Sequence, residues 1–195
     1  MSKIDRTYRK PNLPENATLA FEGKLFDIYQ WEQTLYDGTT AIFEKVVRPD
    51  TITVFPVMDD GRILLIKDSQ PHRSTIITTP SGRVDEGETP EITAPRELLE
   101  ETGYTADIWE PFYTNEPYGK VDWVIYAFVA KKLKKVKEPS PDAGEKTEAY
   151  PVTFDELIAI ARDAERYRDD FTQVVLRALA DPKKMEELRK KLSPA

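Results

Sequence analysis

The stretch from Gly82 to Tyr104 constrains this chain more than any other. It reads Gly82-Arg-Val-Asp-Glu-Gly-Glu88, seven further residues, then Arg96-Glu97-Leu98-Leu99-Glu100-Glu101-Thr102-Gly103-Tyr104. Taken as a helix at about 100° per residue, Glu97, Glu100 and Glu101 fall within one arc of about 100°. Leu99 points nearly the opposite way with Leu98 beside it, so carboxylates take one side and hydrocarbon the other. Three solvated carboxylates in little more than one turn repel one another by roughly a few tenths of a kcal/mol per pair. A hard divalent cation such as Mg²⁺ or Mn²⁺ turns that repulsion into attraction, because both prefer oxygen ligands. Arg96, one turn before Glu100, can pair with a carboxylate and hold it in place. Gly103 stands just past the helix, where a left-handed C-cap favours glycine. Gly82 and Gly87 lie in the preceding loop, where backbone can come close to a phosphate or a metal.

Two starts are open for this helix. Thr89 as N-cap with Pro90 at the first position places Pro95 inside the helix, at a cost of about 3 kcal/mol. A start after Thr93 avoids that cost. The three glutamates follow Pro95 in both cases.

Glu-Glu-x-Gly alone is most simply a solvated helix face. The full spacing resembles the Nudix box of the Nudix hydrolases: Gly, five residues, Glu, seven residues, Arg-Glu-apolar-x-Glu-Glu-x-Gly-apolar. Gly82, Glu88, Arg96, Glu97, Leu98, Glu100, Glu101, Gly103 and Tyr104 fill the specified places, and a chance match in such a chain is about one in a million. The resemblance implies an α/β/α sandwich and a hydrolase in which Glu97, Glu100 and Glu101 hold Mg²⁺ (or Mn²⁺) against a substrate pyrophosphate. Within the family, the strand-rich segment before Thr51, the run Pro56 to Ile66 and Thr79-Pro80-Ser81-Gly82 resemble the ADP-ribose and nucleoside-diphosphate-sugar pyrophosphatase branch. This chain has Lys67-Asp-Ser-Gln70 where that branch often shows Arg-Gln-aromatic-Arg, and Thr78 where it commonly has Glu. The general base of the family is in some members the residue at Glu97. In the ADP-ribose branch it is often a late loop glutamate, a place that Glu145 and Glu148 occupy; both also read as solvated linker residues.

Three functions follow from the resemblance. The first is hydrolysis of a nucleoside diphosphate linked to a sugar or similar moiety, ADP-ribose-like. The second is hydrolysis of another Nudix substrate, such as a nucleoside triphosphate, a dinucleoside polyphosphate or a capped RNA end. The third is a nucleotide-binding sensor without catalysis, against which the intact carboxylate set argues. Trp31, Tyr118 and Trp123 are candidates for stacking on a nucleobase, and each reads more readily as a core or dimer-interface residue.

Composition narrows the rest. A net charge of −7 argues against nucleic acid as a general partner, since that needs a basic footprint. Without cysteine there is neither a disulfide framework nor a cysteine-based metal or redox site. The single histidine, His72, reads as a solvated loop residue. No secretory signal or membrane-length apolar run is visible, so the expected compartment is the cytoplasm.

In chain order, residues 1–18 read as a tail broken by Pro11 and Pro14. Residues 19–50 form an N-terminal antiparallel β segment around the Asp37-Gly38 turn, residues 51–165 the main domain, and residues 166–195 C-terminal helices. Apolar runs predict strands over Thr51–Met58, Ile63–Lys67 and Val121–Ala130. Residues 68–74 and Glu138–Ala149 read as loops, and the basic Lys131–Lys137 run as a strand end carrying solvated lysines. Thr153-x-x-Glu156 predicts a capping box opening a helix to about Ala164, and Asp170 a cap for Phe171–Leu179. The layout is α+β with a mixed sheet, in agreement with the sandwich. Strands 20–50 are too few to bury both faces, and Phe26, Tyr29 and Trp31 need cover, so a homodimer through this segment is expected. The resembled branch implies the same.

Overall fold

A computed structural model describes residues 6–141, 144–163, 165, 167 and 170–195. The strands, in chain order, are β1 (Thr18–Glu22), β2 (Asp27–Thr34), β3 (Thr40–Val47), β4 (Thr51–Val57), β5 (Ile63–Gln70), β6 (Arg73–Thr78) and β7 (Ser81–Arg83). Helix α1 (Pro90–Thr102) follows, then β8 (Tyr104–Asn115), β9 (Val121–Asp122), β10 (Ile125–Lys135) and β11 (Lys146–Val152). Helices α2 (Phe154–Ala161), α3 (Phe171–Leu179) and α4 (Pro182–Lys191) close the chain.

The central sheet runs β11-β5-β4-β10-β8, with β6 on β5 and β7 on β4. Its axis is the parallel pair β4 and β10, in register from Thr51 opposite Ile125 to Val57 opposite Lys131. Successive side chains point to opposite faces of a strand. Ile52, Val54, Phe128 and Ala130 therefore share one core with Ala94 and Leu98 of α1. Phe55, Val57, Ala127 and Val129 share the other with Leu157, Phe171, Val175 and Leu188 of the C-terminal helices. Both faces are covered by helix, which is why these strands read as unbroken apolar runs. The result is the expected α/β/α sandwich. No helix among the described residues is long and apolar enough to cross a membrane.

Several local expectations are corrected. The segment 68–74 is mostly a hairpin: β5 runs on to Gln70 and β6 begins at Arg73, with Asp68 opposite Ile76. Part of the presumed loop Glu138–Ala149 is strand, because β11 pairs with β5 from Lys146 opposite Ser69. The long strand over Val121–Ala130 is interrupted at Trp123–Val124 and switches sheets: β9 pairs with β3, and β10 joins the central sheet. Asp170 precedes α3 without capping it; its carboxylate accepts from the Tyr113 hydroxyl at 3.0 Å instead. The capping box at Thr153 and Glu156 forms as expected and α2 runs to Ala161; Ala164 lies outside the described residues.

The N-terminal segment forms a second sheet, β1-β2-β3-β9. Residues 6–12 are not a loose tail. Asp50 is fully buried and accepts from the Tyr8 hydroxyl (3.0 Å), Arg9 Nε and Nη2 (2.6 Å each) and the Val124 N–H (2.8 Å). Asp122, also buried, accepts from the Arg6 guanidinium, from the Asn12 N–H at 2.6 Å, and pairs with Arg9 at 2.9 Å. Two carboxylates inside the fold require two cations beside them, and deleting one partner of such a pair costs about 3–5 kcal/mol. This ion network ties the chain start to the beginnings of β4 and β10.

Candidate active site

Helix α1 begins with Thr89 as N-cap and Pro90 in the first turn, so Pro95 lies inside it. The first turn is nonetheless closed by Ile92 and Thr93 N–H donation to the Thr89 carbonyl. Pro95 forfeits the bond to the Glu91 carbonyl four residues back, and Glu91 is exposed, where water can serve. The helix ends at Gly103 (φ 73°), whose N–H donates to the Leu99 carbonyl at 2.9 Å. A Cβ there would come within 2.0 Å of the Lys137 carbonyl oxygen. The buried stripe of α1 runs through Ala94, Leu98, Glu101 and Thr102. The apolar side is thus centred on Leu98 and not on Leu99, and one glutamate of the box points inward.

Arg96 is the hub of the acidic side. Its guanidinium donates to Glu88 (3.0 Å), Glu97 (2.9 Å), Glu100 (3.0 Å) and the Arg83 carbonyl (3.2 Å). Glu88 also accepts from the Thr93 hydroxyl at 2.7 Å. The Arg96 bonds hold the Glu88 carboxyl below its ordinary range. Partial burial opposes the Arg96 charge, but the bonds to these glutamates outweigh it and keep the guanidinium protonated.

Glu97 lies against the backbone of Gly82, where a Cβ would come within 2.0 Å of its carboxylate; this accounts for the glycine. Glu101 is 6% exposed and accepts the Ser81 N–H at 2.8 Å. Burial pushes its pKa well up, the Ser81 bond opposes this, and the charges of Glu97, Glu145 and Asp68 push it further. The donor set fits a hard divalent cation, since it is all oxygen and carries more negative charge than Arg96 offsets. Among the described residues, no three carboxylates are already drawn together closely enough to enclose an ion.

The two late glutamates part company. Glu145 accepts from Gln70 Nε2 at 2.9 Å and is close enough to Glu101 to act on its charge. Glu148 lies on β11 opposite Lys67, pairs with its ammonium at 3.0 Å, and is largely exposed. Asp68 was not among the residues singled out from sequence. It is buried, it pairs with Arg73, and its Oδ1 has no hydrogen-bond partner. The only sequence signal was its place within the Lys67–Gln70 departure.

A cleft of about 740 Å³ starts at Ser81 and Gly82, beside Glu101 and Glu97, and extends over Thr51 and Ile125 to Tyr118 and Trp123. The Tyr118 and Trp123 rings are stacked (centroids 6.3 Å apart, planes at 24°). The Arg48 guanidinium lies 4.4 Å from the Trp123 ring centre, and Trp123 Nε1 donates to Thr51 Oγ1 at 3.0 Å. Trp31 is elsewhere: it packs on Phe43 and lines a separate groove with Leu13 and Lys120. Arg48 and Thr51 carried no motif from which sequence could have selected them.

The chain is 35% identical over 162 residues to an ADP-ribose pyrophosphatase of Bacillus subtilis (strain 168), covering 78% of this chain and 86% of that one. It is 29% identical over 151 residues to a methanol dehydrogenase activator of Bacillus methanolicus, covering 75% and 81%. An ADP-sugar pyrophosphatase of Mus musculus is 36% identical over 114 residues, about half of each chain (51% and 51%). A crystal structure of an ADP compounds hydrolase superposes with a TM-score of 0.68 over 95% of this chain and 97% of the other, at 19% identity, and shares the fold. The NUDIX domain model matches residues 47–174, a span that contains the box, the central sheet and all of the cleft lining but Leu25, and the chain belongs to that family.

Proposed function

We propose that this chain is a divalent-metal-dependent pyrophosphohydrolase acting on a nucleoside diphosphate linked to a sugar, ADP-ribose being the model substrate. One observation carries the reading: a single cleft runs from Ser81 and Gly82, the backbone against which Glu101 and Glu97 lie, to the stacked rings of Tyr118 and Trp123. A diphosphate at one end and a nucleobase at the other match those two chemistries. The two pyrophosphatase relatives support it.

Glu97, Glu100 and Glu101 would hold Mg²⁺, with Mn²⁺ as a substitute. When bound, the cation supplies charge neutralisation at the diphosphate and polarisation of its phosphorus–oxygen bonds. Arg96 orients Glu97 and Glu100 through one hydrogen bond to each. Glu145 is the proposed general base: it takes a proton from the attacking water as one phosphorus–oxygen bond forms and the bridging one breaks. The products are a nucleoside monophosphate and a sugar phosphate. Glu145 is favoured over Glu148 because its charge acts on Glu101, whereas Glu148 is engaged by Lys67.

We further propose a homodimer and a cytoplasmic location. Phe21 and Ile42 are 58% and 63% exposed on the N-terminal sheet, which a second copy would cover. Nucleoside monophosphate formation from nucleotide-sugars, nucleoside triphosphates and dinucleoside polyphosphates, with Mg²⁺ or Mn²⁺, tests the substrate reading. Preference for ADP-ribose or another nucleotide-sugar supports it. Preference for a triphosphate overturns the substrate class, and no turnover of any overturns catalysis.

A further inference from the structure

The aromatic end of the cleft is carried by two short connections and the strand ends beside them. One is Arg48–Asp50, between β3 and the start of β4 at Thr51; the other is Trp123–Val124, between the end of β9 at Asp122 and β10. Their side chains meet in the cleft, where Arg48 lies over Trp123 and Trp123 donates to Thr51. The carboxylates of Asp50 and Asp122 in these same segments are both buried, and neither lines the cleft. Two like charges inside the fold would drive these stretches apart unless cations hold them together.

Those cations come from the start of the chain. Arg9 bridges the two carboxylates: Nε and Nη2 reach Asp50 at 2.6 Å, and Nη2 lies 2.9 Å from Asp122. Arg6 pairs with Asp122 and donates to the backbone carbonyls of Arg48 and Asp122. Tyr8 adds its hydroxyl bond to Asp50 and sets its ring edge-on to Tyr126 of β10. Arg6 thus grips the backbone of Arg48 and of the residue next to Trp123.

We propose that residues Arg6–Asn12 form a positioning strap for the base-binding end of the cleft, in which Arg6 and Arg9 fix Arg48 against Trp123 through Asp50 and Asp122. The strap touches no substrate. It sets the spacing of the surfaces that receive the base, so it governs substrate affinity and not the bond-breaking step at the box. This rests on the reading that a nucleobase binds beside Trp123.

The test has two independent readouts in the full chain. The first is steady-state kinetics with ADP-ribose and Mg²⁺ for Arg9→Ala and Arg9→Lys. A KM about tenfold higher for Arg9→Ala and about threefold higher for Arg9→Lys is expected, with kcat within about twofold of wild type. The second is acrylamide quenching of Trp123 as the sole tryptophan, in a Trp31→Phe/Trp109→Phe background. Quenching should rise in the same order as KM, because a displaced Arg48 uncovers the ring. If Arg9→Ala fails to fold, Arg9→Lys retains the charge but not the fork to Asp50 and carries both readouts. An unchanged KM in a folded variant, a loss confined to kcat, or unaltered quenching overturns the strap. Should the wild type not hydrolyse ADP-ribose, the substrate reading falls while quenching still decides whether the strap holds Trp123.

Discussion

At the scale of single residues, the site is an imbalance of charge held in a fixed shape. Glu101 is the clearest case: it is buried, accepts the Ser81 N–H and feels the charges of Glu97, Glu145 and Asp68. Its folded-state pKa lies above the ordinary value of 4.5. The folded protein therefore binds that proton more tightly than the unfolded chain does. Stability from this group is lost as pH rises from about 4.5 through the folded pKa. In EDTA, Glu101→Gln should melt above wild type at pH 8, and the gap should close toward pH 4.5. Each kcal/mol recovered appears as about 2–4 °C in a chain of this size. The same variant should lose turnover, and the rise in melting temperature expected of wild type on adding Mg²⁺ should be lost with it. Thermal scans with and without the metal at three pH values check this. A Glu101→Gln protein no more stable than wild type at pH 8 would mean that the carboxylate is solvated. The late glutamates give a sharper contrast. Glu145→Gln should lower kcat by about 10²–10⁴, the usual worth of a general base. Glu148→Gln should stay within a few-fold, having removed only a surface pair with Lys67. Equal losses, or the reverse order, would move the base to Glu148 or Glu97.

At the scale of elements, α1 is positioned by its buried stripe, and Leu98 is the pivot. It is fully buried among Ile52, Val54 and Phe128, so Leu98→Ala should cost about 2–5 kcal/mol. A lower denaturation midpoint with near-normal activity per folded molecule is the expected result. A variant as stable as wild type would show that the stripe is misplaced. The box helix was legible in the sequence because its information is local: glycines, an arginine and glutamates at fixed spacing within 23 residues. So were β4 and the break after Leu179, where apolar runs and Pro182 speak for themselves. The inward turn of Glu101 was not legible. Helical phase placed it with Glu97 and Glu100, and the approach of β7, whose Ser81 N–H it accepts, is a tertiary event. Strand β11 was hidden by its Lys, Thr and Glu content, which reads as loop; pairing along β5 overrides that preference. The strap was least legible of all, since Arg6 and Asp122 lie 116 residues apart and no periodicity connects them.

At the scale of the whole molecule, the open question in the fold is the outer face of the N-terminal sheet. The pairing registers set Phe21 opposite Ile28, Ile28 opposite Val46, and Glu32 opposite Ile42. Cross-strand partners share a face and alternate residues return to it, so Phe21, Ile28, Ile42 and Val46 lie together. Phe21 and Ile42 are exposed there. A second copy related by a two-fold axis would bury them against themselves. The β1–β2 turn also reaches the active cleft: Leu25 lines it, and Phe26 lies 5.7 Å from the Arg48 guanidinium. Dimerisation and substrate binding should therefore be coupled. Removing the first 48 residues would be a poor test, because it also strips Arg6 and Arg9 from buried Asp50 and Asp122. The double variant Phe21→Glu/Ile42→Glu leaves that network and the box untouched while placing charge on the apolar face. Light scattering should then report a single-chain particle where wild type gives two. kcat/KM should fall about tenfold, equivalent to 1.4 kcal/mol of lost transition-state binding. A wild type that scatters as one chain refutes the dimer. A monomeric variant with full kcat/KM keeps the dimer but shows that each cleft works alone.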